Sequence, residues 1–352
     1  MRRGSTLGTV AAVAGGLWRI ALFADPAAAQ TATPPYVLSV FAKGAGAMSQ
    51  PDSIALGRDS VFVGFQNHVA KDGTDRKFST IVQYSLAGQV QRVFSVKGHN
   101  DGLRVIGEDD LWALQNEDAN PTLVIIDLKS GRQTTFIPPA PHGGGYDDLR
   151  VFHDQVFMTA SNPNLDNNGV NVFPALVRVR LWGASVKLDT VLLGNAAAID
   201  IPTGDPVTLN LTDPDSLSID PRGNIVVNSQ QDAELVFVRN PLTDDQAVGH
   251  LAITTAAAGP TTVDDTAFAP KGRSFMLFSD IDLDTVYRLD APTFGFEPGT
   301  AYSTSDTAGI VGSLKLDNGV LTPIATGFSS TRGMVFVSQN DDDDHRSDDG
   351  DR

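Results

Sequence analysis

Short apolar runs separated by Gly, Pro, Asp and Asn make up most of the chain after about residue 35. Runs such as residues 61–65 and 123–126 are rich in Val, Ile and Phe, which are common in β-strands. Turn residues on both sides of such runs favour antiparallel strands. No long stretch with a 3.6-residue apolar period follows the first thirty residues. The pattern therefore predicts an all-β protein.

One short phrase recurs along the chain. It consists of a polar residue, usually Asp, followed by alternating apolar positions, and successive copies lie 46 to 68 residues apart. Each copy introduces further apolar runs, which makes about four strands per repeat. Four-stranded repeats at this spacing are typical of β-propeller blades. We expect six blades, with five or seven left open. The aligned polar positions are Asp52, Asp101, Asp147, Asp215, Asp264 and Arg332.

The two ends of the repeat region each supply part of a repeat. Residues 36–42 resemble a fourth strand but precede the first copy of the phrase, and residues 331–336 form a last copy with almost nothing after it. We expect both to complete one blade with residues 311–316 and 321–325, so that N- and C-terminal strands close the ring and leave no open edge. The two longest repeats contain extra residues, which are either insertions or displaced strands: 189–213 and 291–311.

Residues 1–29 have the pattern of a Sec-type signal peptide. Arg2 and Arg3 precede a short apolar segment, and a run of alanines ending at Ala29 predicts the cleavage site. The apolar segment is too short for a membrane anchor. The sequence thus predicts a periplasmic or secreted protein. Its predicted parts are a signal peptide (1–29), a flexible N-terminus (30–35), a β-propeller (36–340) and a disordered acidic tail (341–352).

The formal net charge of -16 restricts the partners of the protein. Such a chain repels nucleic acid and anionic lipid and attracts cations. The sequence contains no cysteine, so packing or bound ions must supply the stability that disulfides give many exported proteins. We expect a monomer that binds a small molecule or a protein and no nucleic acid.

The recurring aspartates are predicted to meet at one mouth of the central channel. In a four-stranded blade, the loop entering the first strand and the loop between the second and third strands open on the same face. Carboxylate and amide oxygens at this density suit Ca²⁺, our expected cofactor. The aspartates alternatively bond to the backbone of their own turns. The candidate metal ligands are Asp101, Asp147, Asp215, Asp264, Asn116, Glu117 and Asn162.

Three residues are candidates for catalysis: His99, His142 and Asp215. The two histidines precede the second and third inner strands, where a His beside carboxylates can act as a general base or can simply be a polar loop residue. Residues 280–284 resemble the start of a calcium-binding loop, but Ala291 stands where such a loop ends in Glu. The familiar serine-hydrolase, nucleotide-binding and zinc-protease motifs are absent from the sequence.

The phrase at residues 214–219, followed by the Gly-Asn turn and apolar run at 223–227, resembles the NHL-repeat and gluconolactonase/regucalcin-like propellers. That resemblance implies a divalent metal, calcium or zinc, at the channel mouth. It also implies a ligand set of one Glu, one or two Asn, and an Asp in a phrase like the one that contains Asp215. Gln50 and Asp52 stand where the family has its Glu.

These features predict an exported binding module with an acidic, cation-binding channel mouth. The alternative is a metal-dependent hydrolase of the lactonase type that uses the same mouth. An ion with an open coordination position favours the hydrolase, whereas aspartates bonded to their own backbone favour the binding module.

Overall fold

The computed structural model describes residues 29–257 and 259–339. Within these ranges the regular structure is entirely β-strand, and the chain folds as a β-propeller, as predicted. In this part of the chain no helix has the length and apolar character needed to cross a membrane. Nearly all of the expected signal peptide and the whole expected acidic tail lie outside the described residues. The first two strands are β1 (Thr31–Ala32) and β2 (Val37–Lys43).

The next twelve strands form three regular four-stranded sheets in chain order. Sheet 1 contains β3 (Pro51–Leu56), β4 (Ser60–Phe65), β5 (Phe78–Ser85) and β6 (Val90–Lys97). Sheet 2 contains β7 (Asn100–Ile106), β8 (Asp110–Gln115), β9 (Thr122–Asp127) and β10 (Gln133–Phe136). Sheet 3 contains β11 (Gly145–Phe152), β12 (Gln155–Ser161), β13 (Pro174–Trp182) and β14 (Ser185–Leu193).

Sheet 4 carries an added hairpin on its outer edge. The hairpin consists of β15 (Ala197–Asp200) and β16 (Pro206–Thr208), and β15 runs parallel to β20. The extra residues at 189–213 thus extend β14 and build this hairpin. The regular strands of sheet 4 are β17 (Pro214–Ile219), β18 (Ile225–Ser229), β19 (Glu234–Arg239) and β20 (Ala247–Ala252).

The last two sheets exchange strands along the chain. Their strands are β21 (Thr254–Thr255), β22 (Gly259–Pro260), β23 (Thr266–Phe268), β24 (Ser274–Asp280), β25 (Thr285–Asp290), β26 (Ala301–Ser305), β27 (Ile310–Leu314), β28 (Val320–Thr326) and β29 (Thr331–Ser338). Sheet 5 has the order β22-β21-β28-β27-β26-β23, with β1 also paired to β28. Sheet 6 has the order β2-β25-β24-β29. The β24–β25 hairpin therefore interrupts sheet 5 and belongs to sheet 6.

One expectation about the chain ends was wrong. Residues 311–316 and 321–325 do not join β2, because β27 and β28 pair with β26 in sheet 5 and β2 pairs with β25. The strand β24 is buried along its whole length, and its central apolar run does not indicate which sheet it joins. Residues 30–35, for which we expect flexibility, contain β1, which pairs with β28, and Thr33 donates its N–H to the carbonyl of Ile324 at 2.8 Å.

The hydrophobic core of the described residues consists of six clusters, each lying between two consecutive sheets. The cluster between sheets 1 and 2, for example, contains Phe62, Ile81 and Leu111. Strands in this arrangement are covered on both faces, which explains why β4 and β18 read as continuous apolar runs. The innermost strand of each sheet contacts the next one, and β29 contacts β3.

Candidate cation site at the channel mouth

A repeated backbone irregularity turns the recurring aspartates away from the regular strand pairing. In four inner strands the pairing register shifts across the phrase, for example between Pro51 and Ile54 and between Asn100 and Leu103. The same shift occurs in β11 and β17. A β-bulge changes the direction of a side chain and is common beside functional sites. The phrase therefore encodes a bulge that carries an Asp.

The structure brings all five recurring aspartates to one cavity of about 190 Å³, which we call the acidic mouth. They are Asp52, Asp101, Asp147, Asp215 and Asp264. Three more carboxylates and two basic side chains also line the cavity: Glu117, Asp118, Asp213, Lys71 and Arg332. Uncharged polar side chains from the loops between second and third strands complete the wall: Gln66, Ser161, Asn162, Gln230 and Gln231. Acidic groups thus outnumber basic ones eight to two among the described residues lining the cavity.

Burial and mutual repulsion disfavour ionisation of this ring. Burial raises the pKa of Asp52, Asp147 and Asp215 well above the usual range, and a neighbouring aspartate raises each of them further. Burial also raises the pKa of Asp264, but Arg332 opposes it by donating to the Asp264 carboxylate at 2.6 Å, and the result is about 6. Without added positive charge the aspartates can ionise together only at a high electrostatic cost.

Three of the buried side chains form a compact group of possible ligands. Nε2 of His99 lies 3.3 Å from Oδ1 of Asp101 and 3.9 Å from Oε1 of Glu117. One ligand atom from each residue lies within 4.8 Å of the other two. We call this group the triad. It lies on the wall of the acidic mouth formed by sheet 2, since Asp101 and Glu117 both line the cavity.

The charges of the triad depend on one another. Burial lowers the pKa of His99, but Asp101 and Glu117 outweigh it and raise the value to about 9. Burial raises the pKa of Glu117, but its ion pair with Lys71 outweighs this and lowers the value to about 2. Burial and the nearby Glu117 raise the pKa of Asp101. Each carboxylate of the triad therefore depends on a positive neighbour.

Three atoms of the triad have no hydrogen-bond partner among the described residues. They are Nε2 of His99, Oδ2 of Asp101 and Oε1 of Glu117, of which Oε1 is in an ion pair with Lys71. His99 and Asp101 are only 3% exposed. A buried polar atom without a partner typically costs about 1–3 kcal/mol. The carboxylate oxygens suit the Ca²⁺ that the sequence predicted, whereas the histidine nitrogen suits a transition metal such as zinc. The residues present therefore fit a divalent cation.

The other predicted site residues fall into two groups. Asp147, Asp215, Asp264, Glu117 and Asn162 line the acidic mouth. Asn116 and His142 do not line it. The side-chain oxygen of Asn116 instead accepts the backbone N–H of His99 at 3.0 Å. Nε2 of His142 lies 2.7 Å from the carbonyl oxygen of Gly145. Asn116 therefore positions His99, and His142 has a place in the local turn rather than at the mouth.

The calcium-loop resemblance at residues 280–284 has a different explanation in the structure. The carboxylate of Asp280 accepts the backbone N–H groups of Ser329 at 2.8 Å and Ser330 at 3.3 Å. The carboxylate of Asp284 accepts the N–H of Gln50 at 2.7 Å. These carboxylates therefore accept hydrogen bonds from the backbone of the segments before β3 and β29.

Sequence reasoning missed the two basic residues of the acidic mouth. Arg332 occupies the position in the last phrase where the other five copies have Asp, so the alignment of copies contained this signal. Lys71 lies in the long loop between β4 and β5, where no pattern marks it. It is fixed there because its carbonyl accepts the N–H of Asp118 at 3.2 Å.

No family model and no curated protein matches this chain. Solved structures do. A structural genomics protein of unknown function from Bacteroides thetaiotaomicron is 10% identical, with a TM-score of 0.51, and the match covers 85% of this chain and 69% of that one. A putative gluconolactonase is 11% identical, with a TM-score of 0.46 and coverage of 84% and 83%. Regucalcin, a calcium-binding protein from Agrobacterium tumefaciens, is 11% identical, with a TM-score of 0.41 and coverage of 80% and 77%.

At such low sequence identity, these matches show similarity of fold alone. The chain is a β-propeller that resembles, in fold, the gluconolactonase-like and regucalcin propellers.

Proposed function

We propose that this protein is an exported, six-bladed β-propeller whose acidic mouth binds a divalent cation and presents it to a ligand or partner. One observation carries the proposal. Carboxylates from five inner strands converge on a single cavity that also contains a buried carboxylate oxygen without a hydrogen-bond partner. The predicted signal peptide supports export.

The pairing of the strands supports six blades and a closed ring. Six sheets occur in the described residues, and a hydrophobic cluster lies between every two neighbours, including sheets 6 and 1. Sheet 6 contains both β2 from the start of the chain and β29 from its end. Such a ring holds the inner strands at fixed separations and gives the acidic mouth a rigid frame.

The electrostatics of the acidic mouth favour a small, highly charged ligand. Two like charges about 4 Å apart repel by roughly 4 kcal/mol at an effective dielectric constant near 20. A divalent ion would convert several such repulsions into attractions. Ca²⁺ accepts six to eight oxygen ligands from carboxylates, amides and water, and the wall of the acidic mouth supplies these groups.

Calcium titration by isothermal calorimetry tests the proposal on the full chain. We expect a binding event that Asp215→Asn weakens by at least about tenfold, because the variant removes a buried charged oxygen from the acidic mouth. Asp205→Asn is the matched control, since Asp205 is exposed on the β15–β16 turn. Equal calcium affinity in the wild type and both variants would contradict a site at the acidic mouth.

A metal-dependent lactonase remains the second candidate, because His99 and several carboxylates lie beside the proposed ion. A bound ion can activate water, and a neighbouring base can accept its proton. If this second function is correct, lactone hydrolysis by the metal-loaded protein should be abolished in Asp215→Ala. Hydrolysis at the wild-type rate in that variant would exclude the lactonase and leave the binding module.

A further inference from the structure

The spacing of the triad matches a shared metal ion better than a set of direct hydrogen bonds. Zinc ligands of the His and carboxylate type lie at about 2.0–2.2 Å from the ion, so two of them at tetrahedral or octahedral angles are roughly 3.0–3.6 Å apart. The 3.3 Å between Nε2 of His99 and Oδ1 of Asp101 falls in this range. The 3.9 Å from Nε2 to Oε1 of Glu117 requires only a small movement.

The histidine of the triad is oriented as metal-binding histidines commonly are. Nδ1 of His99 lies 2.7 Å from the carbonyl oxygen of Val69, so Nδ1 carries a proton and Nε2 is the nitrogen that faces the carboxylates. A metal ion that binds Nε2 would displace the proton that this nitrogen carries in the protonated ring. Asn116 fixes the backbone of His99. Gln66 donates to Oδ1 of Asp101 at 3.0 Å and leaves Oδ2 without a partner. The ligand atoms are therefore held in position by their surroundings.

A positive charge on a partly exposed side chain already contacts the triad. The ammonium group of Lys71 forms an ion pair with Oε1 of Glu117, the same oxygen that faces His99. The Lys71 side chain is 57% exposed, whereas the Glu117 side chain is only 10% exposed. The long side chain of lysine can move into solvent while its backbone stays fixed in the loop. Lys71 thus has the place and the freedom of a removable counter-ion.

We propose that the triad is a transition-metal site that prefers Zn²⁺ to Ca²⁺, and that Lys71 neutralises Glu117 until the ion displaces it. The inference rests on the proposed cation-binding function and assigns the cation to the ligands of the triad.

The ligand chemistry explains the preference. Imidazole nitrogen suits zinc and other late first-row metals, whereas calcium binds oxygen ligands. Three protein ligands are the usual number in a zinc site that keeps one position open. Because Asp101 and Glu117 line the cavity, that position faces the acidic mouth, where a ligand can reach it.

Titration of the full chain with Co²⁺, a substitute for Zn²⁺ that absorbs visible light, tests metal binding at the triad. We expect a Co²⁺ absorption band that Zn²⁺ abolishes and excess Ca²⁺ leaves in place. His99→Gln should weaken Co²⁺ binding by at least about 100-fold, since it removes a ligand rather than only a supporting group. His153→Gln is the control, because His153 lies on the turn between β11 and β12, outside the acidic mouth. If His99→Gln fails to fold, Glu117→Gln replaces it.

The role of Lys71 is tested by Lys71→Met. Removing the competing charge should tighten Co²⁺ binding by about tenfold, given the size of charge interactions at a few ångströms. Lys77→Met, which removes an exposed lysine of the same loop paired with Asp75, should leave the affinity unchanged. Weaker or unaltered binding by Lys71→Met would overturn the counter-ion role and identify Lys71 as a brace for the loop.

The results separate this inference from the function on which it rests. One outcome is calcium binding that depends on Asp215 together with equal Co²⁺ binding in the wild type and His99→Gln. This outcome would support the proposed function and overturn the triad as the metal site. Co²⁺ binding that depends on His99, without calcium binding, would support the triad as the metal site. A transition metal would then replace calcium as the proposed ion of the acidic mouth. Failure of both ions to bind would overturn both proposals.

Discussion

At the scale of single residues, two adjacent aspartates in the phrase have different surroundings: one lines the cavity and the other accepts a backbone hydrogen bond. Asp147 and Asp264 face the acidic mouth. Each is followed by a second Asp that braces a neighbouring inner strand: Asp148 accepts the N–H of Leu217 at 2.9 Å, and Asp265 accepts that of Met334 at 2.6 Å. The backbone-acceptor role expected from the sequence therefore belongs to the second Asp of each pair, whereas the first Asp remains a predicted ion ligand.

Asp265 makes the stability of the ion-free protein depend on pH. Burial, and then the nearby Asp148, raise its pKa to about 7 from the usual value of 3.8. The folded state therefore binds more protons than the unfolded state between these values, and the free energy of unfolding falls as pH rises through this window. This contribution is fully present below about pH 4 and is lost above about pH 7.

Asp265→Asn should remove that loss. We expect its unfolding midpoint at pH 8 in EDTA to exceed that of the wild type by about 2 °C or more, with a smaller difference at pH 4, because the uncharged amide needs no ionisation in the core. Thermal unfolding at the two pH values measures this, with Asp205→Asn as the exposed control. The same difference between variant and wild type at both pH values would contradict the assignment to Asp265.

At the scale of elements, the sequence predicted most strands and missed some of their partners. Residues 61–65, 123–126 and 225–227 form strands as expected, because period, composition and turn residues are local properties. Which sheet a strand joins is a long-range property. The exchange that places β24 and β25 in sheet 6, and the β15–β16 hairpin added to sheet 4, follow from packing between segments that the local pattern does not describe.

The strand β2 should contribute to stability through one face. Leu38 packs against the cluster between sheets 5 and 6, whereas Val40 is 59% exposed. Leu38→Ala should lower the free energy of unfolding by roughly 1–2 kcal/mol, below the range for fully buried leucines. Val40→Ala should change it by less than about 0.5 kcal/mol. Chemical denaturation measures both. Equal effects would contradict the role of β2 as the strand that completes sheet 6.

At the scale of the whole molecule, a strongly acidic chain concentrates much of its negative charge at one site. Of the formal net charge of -16, only part is spread over the surface, because eight carboxylates meet at one cavity with two basic partners. The convergence could be predicted from sequence, since repeats place equivalent residues at equivalent positions around a ring. Each member of the triad was a candidate from the sequence, but their meeting could not be predicted, because Glu117 lies in a loop whose path depends on the finished fold.

Thermal unfolding of the full chain in excess EDTA and then in excess Ca²⁺ tests whether the folded acidic mouth binds calcium. An ion that binds the folded and unfolded chain equally leaves the midpoint unchanged, so the measurement reports only a site that exists in the folded state. At about 100 times the dissociation constant, a bound ion should add roughly 2.7 kcal/mol. We expect a higher unfolding midpoint with calcium, and a smaller rise in Asp215→Asn. An identical midpoint in EDTA and calcium would contradict a calcium site at the acidic mouth.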